Sequence, residues 1–344
     1  MSAIYRSLLK RKPAMREILG FQLHYAKKHD LQSSISTFMY SRESLLMVVP
    51  DLVRASAEDY AGQKVFYLHV PKTGGTSVRI ALAEAMGIPS FNIYPHSSHS
   101  LPNNLQSMDF WPYWAGHANI GLFPDTHKGF TTFRESRSRI LSMFRQQQRS
   151  ASMGTNPHII TEEAIRKQKF KKQEMKNLDF NSWIKTRKTN TCLGFYIDNP
   201  TVAKSRNVDR GPLDRKIRLG NMSDWKEKVF AMPDREIKKE LKKSLPRIVS
   251  ASWIHQSRST EEAIQRISGR SDVQLCRNNE FTKTDFFKIE DINAESMQIL
   301  EDIRKKDSIL FNMATDLGVL IGKLNMDEDA IFHQSAANLG YEIS

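Results

Sequence analysis

Cysteine is nearly absent from this sequence, and the absences bound the function before any motif does. Only two cysteines occur in 344 residues, Cys192 and Cys276. They have no paired C-x-x-C spacing, which argues against a disulfide framework or a cysteine zinc site and fits a reducing, cytoplasmic setting. No stretch reaches the roughly 18 consecutive apolar residues of a membrane-spanning helix. The basic segment from Met1 to His29 lacks the unbroken apolar run of a secretory leader, and neither an internal repeat nor a low-complexity tract is present. Acidic residues are the scarcer charge, 38 Asp and Glu against 51 Lys and Arg, for a net charge of +13. That balance attracts acidic ligands without naming one: nucleotide, nucleic acid, anionic membrane and acidic glycan all qualify.

What is present divides into three parts. Residues 1–60 read as a helical extension broken at Pro13 and Pro50, with Met15, Ile18, Leu19 and Leu23 at helical spacing. Such a stripe packs on its own protein or serves as a membrane-surface or oligomer helix. From Lys64 the pattern changes to short apolar runs, KVFYLHV, SFNIY, YWAGH and GFTTFR, separated by helical or loop stretches. This alternation predicts an α/β domain over residues 61–323, a parallel sheet flanked by helices. The run from Ala294 to Gly322 reads as one or two closing helices, and residues 324–344 as a tail. The basic AIRKQKFKKQEMK segment, 164 to 176, is either a solvated helix face or the wall of a cleft for an acidic acceptor.

The first chemical motif is PKTGGTS, Pro71 to Ser77, between an apolar strand and a helical pattern. Successive small residues let backbone N–H groups converge on an anion while the following helix presents its positive end. Gly74 and Gly75 allow close approach, Thr76 and Ser77 add hydroxyls, and Lys72 adds a full charge. The nucleoside-triphosphate loop G-x-x-x-x-G-K-[ST] is missing: Lys72 precedes both glycines. The acidic metal ligand expected at the end of a neighbouring strand is missing too, because GFTTFR ends in Arg134. A cation there suits an anionic ligand held without a metal. Further on, Ser142 follows Arg134 after one to two turns of a predicted helix, and the pair is spaced to clamp one phosphate.

At these residues the chain resembles the sulfotransferases that use 3′-phosphoadenosine 5′-phosphosulfate (PAPS), in particular the branch with carbohydrate enzymes of the heparan 2-O type and many bacterial relatives. The family's 5′-phosphosulfate loop, typically H-[IV]-P-K-T-G-G-T-S, is similar to His69 through Ser77 at every position. Its 3′-phosphate motif, an arginine and a serine with seven residues between, is similar to Arg134 and Ser142. The resemblance runs closely over residues 64–150 and more loosely to about 320. It implies a P-loop-kinase-like sulfotransferase fold, PAPS as donor and no metal. Lys72 would contact the 5′-phosphosulfate, Thr73, Gly74, Gly75, Thr76 and Ser77 would cradle it, and Arg134 with Ser142 would hold the 3′-phosphate.

Sulfuryl transfer to an alcohol needs a base for the acceptor proton and a cation for the charge left on the bridging oxygen. Lys72 suits the second role. His117, in WPYWAGHANIGLF, suits the first: it follows a strand-like run between the two cofactor motifs, imidazole titrates near working pH, and the family often carries a Gly-His pair near this place. His96 and His99 in YPHSSHS are rivals. Some glycan enzymes use a glutamate near there, but no acid occurs between Glu84 and Asp109. His69 is expected to brace the loop. Trp111, Tyr113 and Trp114 either stack on a sugar or adenine or fill the core, and Asn190-Thr191 and Asn278-Asn279 are possible substrate contacts. The expected reaction is therefore sulfuryl transfer from PAPS to a hydroxyl on a carbohydrate or glycolipid, with nucleic acid not a partner. The alternatives are a kinase-like phosphotransferase and a non-catalytic nucleotide- or nucleic-acid-binding protein.

Overall fold

The structure is a computed structural model, and it describes residues 60–87, 91–93, 112–152, 179–200, 224–275, 289–322 and 327–338. The N-terminal extension up to residue 59, the lysine-rich segment at 164 to 176, Cys276 and Asn278-Asn279 lie outside the described residues.

Continuous apolar runs without polar alternation belong to strands covered on both faces, and Val65–Leu68 and Tyr113–Gly116 of the sheet are such runs. Its six strands are β1 (Val65–Leu68), β2 (Phe91–Ile93), β3 (Tyr113–Gly116), β4 (Lys128–Phe133), β5 (Ile248–Trp253) and β6 (Leu320–Ile321), in spatial order β2-β3-β1-β4-β5-β6 with every pairing parallel. The expected α/β architecture, a parallel sheet flanked by helices, is present. The helices are α1 (Gly75–Met86), α2 (Ser136–Ser152), α3 (Phe180–Lys185), α4 (Leu193–Tyr196), α5 (Asp234–Ser244), α6 (Ser257–Ser268), α7 (Ala294–Asp316) and α8 (Glu328–Asn338).

Side-chain alternation along β1 sorts the layers. Val65 and Tyr67 face a cluster containing Val78 and Leu82 of α1 with Ala263 and Ile264 of α6. Phe66 and Leu68 face the opposite cluster, which takes in Leu193 of α4, Leu241 of α5 and Leu310 of α7. A satellite core joins Ile140 and Phe144 of α2, Trp183 of α3, Ile303 of α7 and Phe332 of α8.

The last of these corrects the expectation of a tail after residue 323: Phe332 and Ile331 are buried, and α8 docks through them. Its docking is reinforced where Arg137 bonds Asp329 at 2.7 Å and lies over the Phe332 ring at 4.8 Å. The stretch read as one or two closing helices is a single helix, α7, followed by the short strand β6.

The strand order has a functional consequence. Chain leaving β1 through α1 goes to the β2 and β3 side of the sheet, whereas chain leaving β4 through α2 goes to the β5 side. The carboxyl ends of β1 and β4 thus bound the crevice where open parallel sheets bind ligands. Both sequence motifs begin there.

Candidate functional site

β1 ends at Leu68, and the residues after it form a tight turn before α1. Two of them have left-handed backbones, Lys72 at φ 72° and Gly74 at φ 78°. For glycine that conformation is free, whereas for lysine it stores strain of about 1 kcal/mol or more. Gly75 is fixed by contact: a Cβ there would lie 1.8 Å from Nε2 of His69. At Gly74 a Cβ would lie 2.4 Å from the Ile254 side chain. The two glycines let the turn close onto the ends of β1 and β5, so α1 starts directly at the crevice.

A buried hydroxyl relay holds the turn from beneath. Tyr67 Oη and Thr132 Oγ1 are 2.7 Å apart, Thr132 Oγ1 donates to the Thr73 carbonyl at 2.8 Å, and Thr73 Oγ1 donates to the Val70 carbonyl at 2.9 Å. The Thr73 hydroxyl is fully buried and turned inward. Its part is to shape the loop. At the mouth, Gly74 caps α1 with no side-chain hydrogen bond and the first turn carries no acidic residue. The helix end therefore offers its N–H groups and positive dipole without internal competition. Ser77 is half-buried in that turn; the Thr76 side chain lies outside the described residues.

Arg134 emerges from β4 beside this loop and donates from Nη1 to the Lys72 carbonyl at 3.3 Å, while its Nε is buried without a partner among the described residues. Burial, opposed by Glu135 and reinforced by Arg139, lowers its guanidinium to about 10, which leaves it cationic at neutral pH. The neighbouring Glu135 carboxylate is committed to α2. One oxygen takes the backbone N–H and Nε of Arg137, and the other takes the N–H and hydroxyl of Ser138. Ser142 is buried on α2, six residues or about 9 Å along the axis from its start. It lies on the helix side away from the Ile140 and Phe144 face that packs into the satellite core.

His117 follows β3 and comes up against the loop. Its Nδ1 lies 2.7 Å from the His69 carbonyl, and the two imidazoles stack at 4.1 Å with a 35° tilt. A carbonyl only accepts, so Nδ1 carries the proton and the neutral ring keeps its lone pair on Nε2. His69 braces the assembly as expected, stacked at 5.4 Å on Tyr67. Its imidazole is held well below the usual histidine range, first by burial and then by His117, Arg79 and Lys72. A neutral His69 leaves the anion site free of a competing titration near pH 7.

Several supporting residues gave no sequence signal. Asn119, two residues past His117, is buried and makes four bonds: Nδ2 donates to the carbonyls of Gly194 (2.9 Å) and Ile197 (2.7 Å), and Oδ1 accepts from the N–H groups of Gly121 and Asn199, both at 3.0 Å. Arg247 clasps the same loop through the carbonyls of Ile120, Phe123 and Pro124. His255, after β5, is held down at about 4 by desolvation of its ring and by the Arg134 guanidinium, although part of the residue is exposed.

Tyr113 and Trp114 are fully buried and belong to the core, not to a stacking platform. Trp111, His96 and His99 lie outside the described residues. The structure thus brings Lys72, Gly74, Gly75, Ser77, Arg134 and His117 to one sheet edge, with Ser142 on the adjoining helix. Among the described residues no group of three or more His, Cys, Asp or Glu is placed to hold a metal ion, and no helix is long and apolar enough to cross a membrane. No family model, curated protein or solved structure matches the chain.

Proposed function

We propose that this crevice binds PAPS and transfers its sulfuryl group to a hydroxyl acceptor, in a domain of the P-loop-kinase-like sulfotransferase type. The observation that carries the reading is the meeting of three features at the carboxyl ends of β1, β3 and β4: an uncapped helix end entered through Lys72 and two glycines, an arginine tied to that loop with a buried unpartnered Nε, and a histidine whose lone pair is assigned to Nε2.

The donor supplies an activated S–O–P linkage, and the protein supplies positioning and charge. The first-turn N–H groups of α1, with Ser77, hold the 5′-phosphosulfate. Arg134 and Ser142 hold the 3′-phosphate, which separates PAPS from ATP. His117 takes the acceptor's proton on Nε2 as the acceptor oxygen bonds to sulfur. The bond from sulfur to the bridging oxygen breaks, and Lys72 stabilises the charge left on that oxygen, so that 3′,5′-ADP departs. The electrostatic excess of the chain suits both a multiply charged donor and an acidic acceptor, for which a carbohydrate or glycolipid is the proposed class.

The test is transfer of labelled sulfate from PAPS to a panel of glycans. Turnover is expected to fall by a factor of about 100 or more in His117→Ala while 3′,5′-ADP binding persists. Near wild-type turnover in His117→Ala, with loss in His96→Ala or His99→Ala, would reassign the base. No transfer to any acceptor, with a thermal response to ATP and magnesium equal to that with 3′,5′-ADP, would favour a phosphotransferase.

A further inference from the structure

Beside the crevice, on the side of α2 that carries Ser142, lies a buried cationic cluster that the transfer reading does not use. Arg139 precedes Ser142 by three residues and so shares its helix face. It is fully buried. Its Nη2 donates to the Asn190 carbonyl, and its Nε and Nη1 have no hydrogen-bond partner among the described residues. The nearest carboxylate, Asp307, does not satisfy it: Nη2 to Oδ2 is 3.8 Å, and the two carboxylate oxygens are taken by the Ser136 hydroxyl (2.9 Å) and the Cys192 N–H (2.6 Å).

Thr191 sits between Asn190 and Cys192. It too is fully buried, with Oγ1 unpartnered among the described residues. Lys226 closes the cluster. Its ammonium lies 4.7 Å above the Phe195 ring and has no carboxylate in ion-pair range among the described residues. Burial and the adjacent Arg139 bring its amine down to about 8, with Arg187 acting in the same direction. Lys226 thus has Arg139 and the exposed Arg187 near it against one carboxylate, Asp307, among the described residues, and the Cys192 thiol stays protonated because burial pushes it up.

Buried cations and donors without partners are costly unless a ligand completes them. Three guanidinium N–H groups, one hydroxyl and one ammonium are donors suited to a single group rich in acceptor oxygens. We propose that Arg139, Thr191 and Lys226 form a second oxyanion site, which takes a sulfate- or phosphate-type group. Lys226 is only partly buried and Arg187 is exposed, so the site is reached from the surface past these two residues. Its occupant is a sulfate or phosphate group other than the nucleotide's 3′-phosphate, which Arg134 and Ser142 hold; an acidic group of the acceptor has that chemistry. The inference does not rest on sulfuryl transfer.

The test uses inorganic sulfate as probe and needs no donor. Thermal unfolding of the full chain is followed against sulfate at constant ionic strength, with chloride as the balancing salt. Exclusion of sulfate from protein surfaces raises every melting temperature gradually, so the signal is a saturable rise above that background. Wild type is expected to show it. Lys226→Met and Thr191→Val, which keep the volume of the side chains, are each expected to weaken half-saturation about tenfold with melting in chloride little changed. These two variants carry the test because Arg139→Met removes a fully buried guanidinium and is liable to misfold.

Repeating the titration with saturating 3′,5′-ADP identifies the source. An additive response assigns the site to a group outside the nucleotide, and suppression of the sulfate response overturns the proposal, because the sulfate would then occupy a phosphate position of the nucleotide. No saturable rise in wild type, or an unchanged response in both variants, overturns the proposal. So does a response abolished by Arg134→Ala but retained in Lys226→Met, because the sulfate would then sit at the phosphate loop.

Discussion

Replacing Lys72 separates what the loop costs from what it does. At most positions alanine is more stabilising than glycine, by about 0.5–1 kcal/mol, because glycine loses more backbone entropy on folding. At Lys72 the backbone is left-handed, φ 72°, where a residue with a Cβ carries about 1–2 kcal/mol of strain that glycine does not. The difference reverses the usual order: Lys72→Gly is expected to be more stable than Lys72→Ala by about 0.5–1 kcal/mol. Urea unfolding reads this as a higher midpoint for the glycine variant at unchanged slope. Both variants lack the ammonium, so both are expected to lose sulfate transfer while folding normally. Strain kept at a position where glycine would relieve it is the mark of a side chain retained for its chemistry. An alanine variant as stable as the glycine variant, or more so, would refute the reasoning, since Lys72 would then not hold this conformation in solution.

Three further outcomes follow from the same geometry. Asn119→Ala strands two carbonyls and two N–H groups that its side chain now satisfies; at about 1 kcal/mol each the loss is about 4 kcal/mol, measurable by urea unfolding, and transfer should fall because the loop bearing His117 loosens. Folding keeps His69 neutral, so the unfolded chain binds the proton more readily. Its contribution to stability is full above about pH 6.5 and declines as pH falls below that value, by at most about 1.4 kcal/mol per unit, and His69→Asn should flatten that part of the acid profile. Lys226, facing Arg139, Arg187, Asp307 and Cys192, loses its charge as pH rises through about 8; sulfate half-saturation should therefore weaken above pH 8 in wild type and not in Lys226→Met.

Much of the crevice was legible in the sequence because its signals are local. The strand, glycine pair and helix start at 64 to 87 lie within one contiguous stretch, as do the strand and helix around Arg134. YWAGH reads as a strand for the same reason, and its two aromatic residues proved to be core. The less legible parts depend on distant partners. β5 is masked by its serines, yet Ser250 donates to the Ala263 carbonyl and Ser252 to the Thr260 hydroxyl, so α6 absorbs the polarity that hides the strand. β6 has two residues and exists only through its pairing with β5. α8 was read as a tail because its docking is decided by Arg137, nearly two hundred residues earlier. Asn119 and Arg247 reach segments with no sequence proximity to their own. The inward direction of the Thr73 hydroxyl has no sequence signal, because a motif gives the residue but not the direction in which it points.

The central claim is that one crevice recognises both phosphates of an adenine nucleotide through Lys72, the start of α1, Arg134 and Ser142, without a divalent ion. Calorimetric titration with 3′,5′-ADP in the presence of a chelator tests it most directly, run beside 5′-ADP with magnesium and repeated on Arg134→Ala. The account predicts saturable binding of 3′,5′-ADP that magnesium does not improve, weaker binding of 5′-ADP, and loss of the preference between them in Arg134→Ala. Absence of binding, or equal binding of the two nucleotides only when magnesium is present, would contradict it.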